Sequence, residues 1–180
     1  MPFDPKSYGK AVAAILALDG DGQRLMPLAH GRCSSDSARA LLKAANELEL
    51  FPDSRSPDAA LAGLYLYFSC WDEAHATAQD ISTPEGSYWH AIVHRQEPDP
   101  GNSAYWFRQV GKHPVFPALA AAAAALGFGN GAAWDPFAFI QFCEEARLAP
   151  GSARERQALE VHRAEWQLLF DFCAAKKARS

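Results

Sequence analysis

The sequence has few of the residues that favour β-strands. Its 180 residues include only two threonines and five valines, and no segment alternates polar and apolar residues over the length of a strand. Strands are enriched in β-branched residues and show a period of two, whereas helices show a period near 3.6. The sequence therefore predicts an all-α fold.

The sequence also lacks an excess of positive charge and a long hydrophobic run. The formal net charge is -4, and proteins that bind the nucleic-acid backbone carry a basic patch or stripe. The longest apolar run, "FPALAAAAAALGF", is shorter than the ~20 residues that a transmembrane helix needs. We therefore expect neither nucleic acid nor a membrane as a partner.

Cysteine is sparse and has no metal-site spacing. The four cysteines, Cys33, Cys70, Cys143 and Cys173, form no Cys-x-x-Cys pair, so the sequence does not indicate a thiolate zinc site. The chain does not open with a basic segment followed by an apolar one, as a secretory signal does. Scattered free thiols are typical of a reducing compartment, and the sequence predicts a cytoplasmic protein.

Helix-start motifs are frequent. Ser152 and Glu155 have the spacing of a capping box, and Ser, Thr or Asp precedes proline at residues 56–57, 83–84 and 135–136, which is the pattern of an N-cap followed by proline at the first helical position. The sequence predicts nine helices, at about residues 5–18, 35–48, 57–68, 71–81, 84–96, 102–110, 114–126, 136–147 and 153–177. Short connections favour antiparallel neighbours, so we expect a single domain, residues 1–180, of stacked antiparallel helical hairpins that is tetratricopeptide-like in architecture only.

The six consecutive alanines, 120–125, predict a closely packed helix. Alanine has the highest helix propensity but buries little area. We therefore expect this helix to be central and to pack against the segment "FAFIQF" or the last helix.

Several familiar motifs are excluded by their context. "DEAH" at residues 72–75 has no accompanying phosphate-binding loop, so helicase chemistry is not indicated. "DGDG" at residues 19–22 begins a loop whose twelfth residue is His30, where a calcium-binding loop needs glutamate. The nucleophile elbow Gly-x-Ser-x-Gly does not occur.

The motif "HAIVH" places His90 and His94 on one face of a helix. Two imidazoles on successive turns can chelate a cation, although Ala91 stands where the metalloprotease motif has glutamate. If the preceding helix forms a hairpin with this one, His75 can approach both. Three such ligands suit Zn, Mn, Fe or Ni. The alternative is that the histidines have a structural role in a hydrogen-bonded polar network without a metal.

A second group of residues is compatible with binding an anionic or polar ligand. Arg95 and Arg108 follow aromatic-rich turns, and each can pair with a carboxylate such as Glu97. With His113 they form a candidate ligand-binding set. The alternative is that internal ion pairs fix the geometry of the hairpins.

The blocks "WDEAHATAQDI" and "GSYWHAIVHRQEPDPGNSAYWFRQVGKHPVF" lie within residues 64–116. This third of the chain resembles a family of uncharacterised bacterial and fungal all-helical proteins. The resemblance implies no known activity, and implies only that the histidine-rich helices form one unit.

Two functions follow from these patterns. The leading interpretation is a helical-hairpin binding module with a His/Arg-rich pocket and a small molecule or a protein as partner. The alternative is a metal-dependent enzyme, possibly a hydrolase, with His75, His90 and His94 as ligands of one divalent transition metal.

Overall fold

The computed structural model describes residues 3–177 and contains ten α-helices and no strand within that range. The predicted domain extends beyond this range by residues 1–2 and 178–180. The helices are α1 (Lys10–Leu16), α2 (Asp36–Ala44), α3 (Glu47–Leu50), α4 (Pro57–Tyr67), α5 (Trp71–Gln79), α6 (Pro84–Gln96), α7 (Pro100–Val110), α8 (Phe116–Ala125), α9 (Pro136–Arg147) and α10 (Ala153–Ala174). Short 3-10 turns at Pro5–Tyr8 and Ala17–Asp19 flank α1. The predicted all-α class is confirmed.

Two predicted helices are each divided in the structure. The first is interrupted at Gly9, whose φ of 99° is not helical. The second ends at Ala45, which is extended, and Asn46 then starts α3 by accepting hydrogen bonds from the backbone amides of Leu48 and Glu49. An asparagine N-cap satisfies amides that a new helix leaves unpaired, so the prediction of one continuous helix was wrong here.

Most of the predicted caps are present. Thr83, Asp135 and Ser152 each accept a hydrogen bond from the first turn of the helix they precede. Ser56 precedes α4 without such a bond. The start of α7 was predicted two residues late, because Asp99 is its N-cap and Pro100 takes the first helical position.

Helices α4 to α7 follow one another in space as they do in sequence, so α5 packs on both α4 and α6, and α6 packs on α7. Helix α10 contacts α4 of this group, and it also contacts α8 and α9. It approaches α4 closely at Gly63, where an added Cβ would lie 2.8 Å from the Trp89 ring and 3.2 Å from the Phe170 ring. The Trp166 indole also donates to the Gly63 carbonyl at 2.7 Å.

The buried apolar residues form two clusters. The larger one lies between α4, α6 and α10, and the smaller one lies between α8, α9 and the first half of α10. In the smaller cluster α8 contributes Leu119, Ala120 and Ala123, whereas Ala121 and Ala125 are exposed. The alanine helix therefore packs against α10 as expected, but it lies at the side of the molecule with one face open.

Two cysteines are paired. Cys33 and Cys70 form a disulfide with their Cα atoms 4.3 Å apart, and only Cys143 and Cys173 are free and buried. The expectation of four free thiols was wrong, because the loop after α1 folds back on the start of α5 and brings together cysteines that lie 37 residues apart in sequence.

Among the helices of residues 3–177, none combines the length and the hydropathy that crossing a membrane requires.

Candidate metal centre

The centre lies between α5 and α6. His75 comes from the second turn of α5, and His90 and His94 come from successive turns of α6. The Nε2 atoms of His75 and His90 are 3.1 Å apart, and those of His90 and His94 are also 3.1 Å apart. The predicted hairpin therefore brings all three imidazoles together.

The spacing of the three rings matches that of ligands around one ion. Metal–nitrogen distances of about 2.0–2.1 Å place two nitrogens about 3.3 Å apart at a tetrahedral angle and about 2.9 Å apart at a right angle. With the same distances, ring centroids fall about 4.5–5.2 Å apart. The observed centroid separations are 4.6 Å, 4.7 Å and 5.2 Å for the pairs 75/90, 90/94 and 75/94. The ring separations are thus those of ligands around one ion, and in the pairs 75/90 and 90/94 the Nε2 atoms lie closer together than the ring centroids do.

Glu97 determines the protonation pattern of His94. Its Oε2 atom lies 2.8 Å from His94 Nδ1, one turn further along the same face of α6. A carboxylate accepts but does not donate, so the proton of a neutral His94 lies on Nδ1 and the lone pair lies on Nε2. Metal-ligating histidines usually carry such a carboxylate or carbonyl partner on the other ring nitrogen.

Asn102, in the first turn of α7, covers the His94 ring. Its Nδ2 atom lies 3.3 Å from Nδ1 and 3.2 Å from Nε2. An atom along the lone pair of one ring nitrogen would be much farther from the other, so these nearly equal distances place the amide over the face of the ring. The lone pair of Nε2 is therefore left facing the other two histidines.

Two tryptophans hold the remaining rings. Trp71 stacks on His75 with centroids 5.1 Å apart, and its indole N–H donates to the Val93 carbonyl of α6 at 3.2 Å. Trp106 packs against His90 at 4.2 Å. His90 and His94 are 4% and 6% exposed, whereas His75 is only half-buried. The centre is thus enclosed on the α6 side and reaches solvent beside His75.

The environment favours the neutral form of two of the imidazoles, His75 and His90. Burial, together with the neighbouring imidazoles, lowers the pKa of His75 and lowers the pKa of His90 to about 4. Neutral imidazole is the form that binds a metal ion. Nδ1 of His90 has no hydrogen-bond partner among the described residues, so no neighbour fixes the tautomer of His90 as Glu97 fixes that of His94.

Arg95 lies on the opposite side of α6 and takes no part in the centre. Its guanidinium forms a buried ion pair with Glu165 of α10, contacts His162 Nδ1 at 2.9 Å and lies over the Phe139 ring. The predicted partners of Arg95 were nearby carboxylates of the hairpin region such as Glu97. The structure instead pairs it with a residue 70 positions later, a contact that local spacing could not reveal.

The four candidate ligand-binding residues do not face one another. Glu97 is bound to His94, and Arg95 is buried against α10. Arg108 is exposed, with its guanidinium 5.7 Å from the centre of the Phe137 ring. His113 is buried among Tyr88, Phe116 and Phe172, and its Nε2 atom lies 3.6 Å from the Glu85 carboxylate. The structure brings His75, His90, His94 and Glu97 together and places Arg95, Arg108 and His113 elsewhere.

Trp71, Trp106 and Asn102 were missed as contributors to the site. None of the three was a candidate site residue on sequence grounds. Trp71 lies four residues before His75, which puts both on one helical face, so this contact had a signal in the sequence. The contacts of Trp106 and Asn102 depend on how α7 packs on α6, for which local spacing gives no signal.

Comparison of the chain with protein-family models, curated proteins and solved structures gave no match. The resemblance of residues 64–116 to a helical family therefore stays a prediction.

Proposed function

We propose that this protein binds one divalent transition-metal ion through Nε2 of His75, His90 and His94. The observation that carries this proposal is the convergence of the three Nε2 atoms, with successive separations of 3.1 Å. Imidazoles brought together in one partly enclosed space can satisfy their facing Nε2 atoms only by sharing protons with one another or by binding a common cation. The nitrogen donor set suits Zn, Fe or Ni better than Mn, which prefers oxygen ligands.

The surrounding contacts support a metal centre over an ordinary polar network. A network without metal satisfies each ring nitrogen with a separate hydrogen-bonding partner. Here the Nε2 atoms of the three rings have mainly one another as partners. Glu97 directs the lone pair of His94 toward the cluster, and the indoles of Trp71 and Trp106 fix the other two rings. These are the features expected of outer-shell residues that orient ligands.

Metal binding is tested on protein purified without a histidine tag. We expect the protein to take up about one equivalent of Co²⁺ or Zn²⁺, and we expect His90→Ala to weaken Co²⁺ binding at least about 100-fold, because it removes the ligand that lies between the other two. His113→Gln is the matched control, since His113 lies in a separate aromatic environment. Isothermal titration calorimetry and the visible spectrum of the Co²⁺-loaded protein measure Co²⁺ binding by the wild type and by both variants. Equal losses in the two variants, or no uptake by the wild type, would contradict the proposal.

A hydrolytic role is the second candidate. Catalytic zinc sites use three protein ligands and keep the remaining position for water or substrate, and the half-buried His75 gives this centre access to solvent. Activity on simple ester and phosphate substrates that appears with Zn²⁺, and disappears in His90→Ala, is the expected result. Metal-loaded protein that is inactive on the whole panel would favour a metal-binding role without hydrolysis.

The binding-module interpretation has less support. Arg95 and His113 direct their polar atoms into the interior and not toward a shared pocket. A small-molecule or protein partner and a cytoplasmic location stay predictions, and the Cys33–Cys70 disulfide counts against the latter, because disulfides are typical of oxidising compartments.

A further inference from the structure

The Cys33–Cys70 disulfide joins a loop to the helix that carries His75. Cys70 is the residue immediately before α5, and Cys33 lies in the loop between α1 and α2. Besides the disulfide, the Ser34 amide donates to the Phe68 carbonyl at 2.7 Å and the Ser34 hydroxyl donates to the Asp19 carboxylate at 2.6 Å. The covalent link therefore fixes the loop against the first turn of α5.

The same loop reaches the metal centre through His30. The His30 ring lies edge-on against Trp71 at 4.8 Å, and Trp71 stacks on His75 at 5.1 Å. The His30 amide also donates to the Gln96 carbonyl at the end of α6 at 2.6 Å. A continuous set of contacts thus runs from the disulfide through His30 and Trp71 to a proposed metal ligand.

The disulfide borders a solvent-reaching cavity of about 230 Å³ whose lining includes Cys33, Cys70, His30 and Trp71. Cys33 is half-buried and Cys70 is only 2% exposed, so Cys33 is the more exposed of the two half-cystines. The free thiols of Cys143 and Cys173 are fully buried. A small thiol can therefore reach one cystine sulfur and neither of the free cysteines.

We propose that Cys33–Cys70 is an exchange-active disulfide and that its reduction by a dithiol weakens metal binding at the three-histidine centre. The inference rests on the proposed metal-binding function. Reduction removes the covalent tie of the loop that carries His30 and leaves hydrogen bonds alone to hold His30 against Trp71, which in turn packs on the His75 ring. Loss of an outer contact of this kind typically costs about 10–100-fold in metal affinity.

In this exchange a dithiol is the reductant of the Cys33–Cys70 disulfide. One thiolate of the dithiol attacks Sγ of Cys33, the S–S bond breaks, and Cys70 leaves as a thiolate that then takes up a proton. The start of a helix stabilises a thiolate, and a more stable thiolate leaves faster. The second thiol of the reagent displaces Cys33 from the mixed disulfide, so that two electrons and two protons pass to the protein and the reagent becomes a cyclic disulfide.

The test compares Co²⁺ affinity in the oxidised protein, in protein reduced with dithiothreitol and desalted without oxygen, and in the double variant Cys33→Ser/Cys70→Ser. We expect about 10-fold weaker binding after reduction, similarly weak binding by the double variant, and no further change when that variant is treated with dithiothreitol. When the folded protein is treated with dithiothreitol and then alkylated, mass spectrometry should find two new thiols, at Cys33 and Cys70 only.

Three results would overturn parts of this inference separately. Release of no thiols from the native protein would overturn the exchange step. Thiol release with Co²⁺ affinity unchanged within twofold would overturn the coupling to the centre. Failure of the oxidised protein to bind Co²⁺ would overturn the proposed function and the coupling together, whereas the thiol count would still decide whether the disulfide undergoes exchange.

Discussion

Glu97 contributes to the three-histidine cluster through its contact with His94. Glu97 is the C-cap residue of α6, its side chain is 44% exposed, and one of its carboxylate oxygens lies 2.8 Å from Nδ1 of the buried His94. An exposed carboxylate usually contributes little to stability. Here its effect is to select one tautomer of a neighbouring imidazole, so removing it should change metal affinity more than it changes the fold.

We therefore expect Glu97→Ala to weaken Co²⁺ binding by about 10-fold while the melting temperature of the metal-free protein stays nearly constant. Glu97→Gln should lose less, because an amide oxygen still accepts from the Nδ1 proton. Glu49→Gln, an exposed carboxylate of α3, is the control. Calorimetric titration measures the affinities, and equal affinities for Glu97→Ala and wild type would refute the role of Glu97.

At the scale of elements, α6 is buried on nearly every side. Its His90 and His94 face α5 and α7, its Arg95 faces α10, and its Tyr88 packs against Phe107. A polar side chain on a fully surrounded helix needs a partner, because an unpaired buried polar group costs about 1–3 kcal/mol. The density of ionisable residues in this segment is therefore explained by two separate polar clusters on opposite faces of one helix.

Helix α8 shows the opposite arrangement, with one buried face and one open face. Ala123 is 1% exposed in the smaller cluster, whereas its neighbour Ala121 is exposed. We expect Ala123→Leu to destabilise the protein by about 1–3 kcal/mol through overpacking. Ala121→Leu, the matched control, should change stability by less than about 0.5 kcal/mol.

Urea unfolding of both variants measures the difference, and the contrast between neighbours distinguishes packing from helix propensity, which is the same for both. Similar losses in the two variants would show that the face assigned to the core is wrong.

At the scale of the whole molecule, stability should depend on pH through buried histidines. Burial lowers the pKa of His162, His113, His90 and His75 in the folded protein. Burial also raises the pKa of Glu165, but the charge of Arg95 outweighs this and the net shift in the pKa of Glu165 is downward. In all five cases the unfolded chain binds a proton at a higher pH than the folded one does.

Stability contributed by groups with lowered pKa values is complete above the unfolded-state pKa and is lost as pH falls. For histidine the loss begins near pH 6.5, so the metal-free protein should be less stable at pH 5 than at pH 7.5. His162 alone can account for at most about 2 kcal/mol at pH 5, because that pH lies about 1.5 units below the unfolded-state value. In a protein of this size the corresponding loss in melting temperature is about 4–8 °C.

Thermal melts across this range measure the effect, and His162→Gln, which cannot titrate, should show a shallower dependence than wild type. A melting temperature that is equal at pH 5 and pH 7.5 would show that these imidazoles gain protons in the folded state as readily as in the unfolded chain.

The sequence by itself determined the helical class, most helix boundaries and the metal-ligand candidates. Helix caps, prolines and the three- to four-residue spacing of apolar side chains act within one or two turns, so they can be read directly from the chain. The same locality placed His90 and His94 on one face, and the short connection between α5 and α6 brought His75 to them.

Only the tertiary structure decided which distant residues meet. The pairing of Arg95 with Glu165, the contacts of Trp106 and Asn102 with the histidines, and the Cys33–Cys70 disulfide each join segments whose approach depends on how several helices pack. Local spacing cannot specify these contacts, because they follow from burying apolar faces of different helices against one another. Whether a buried polar residue belongs to the three-histidine cluster or to an internal ion pair was therefore set by the face of α6 on which it lies.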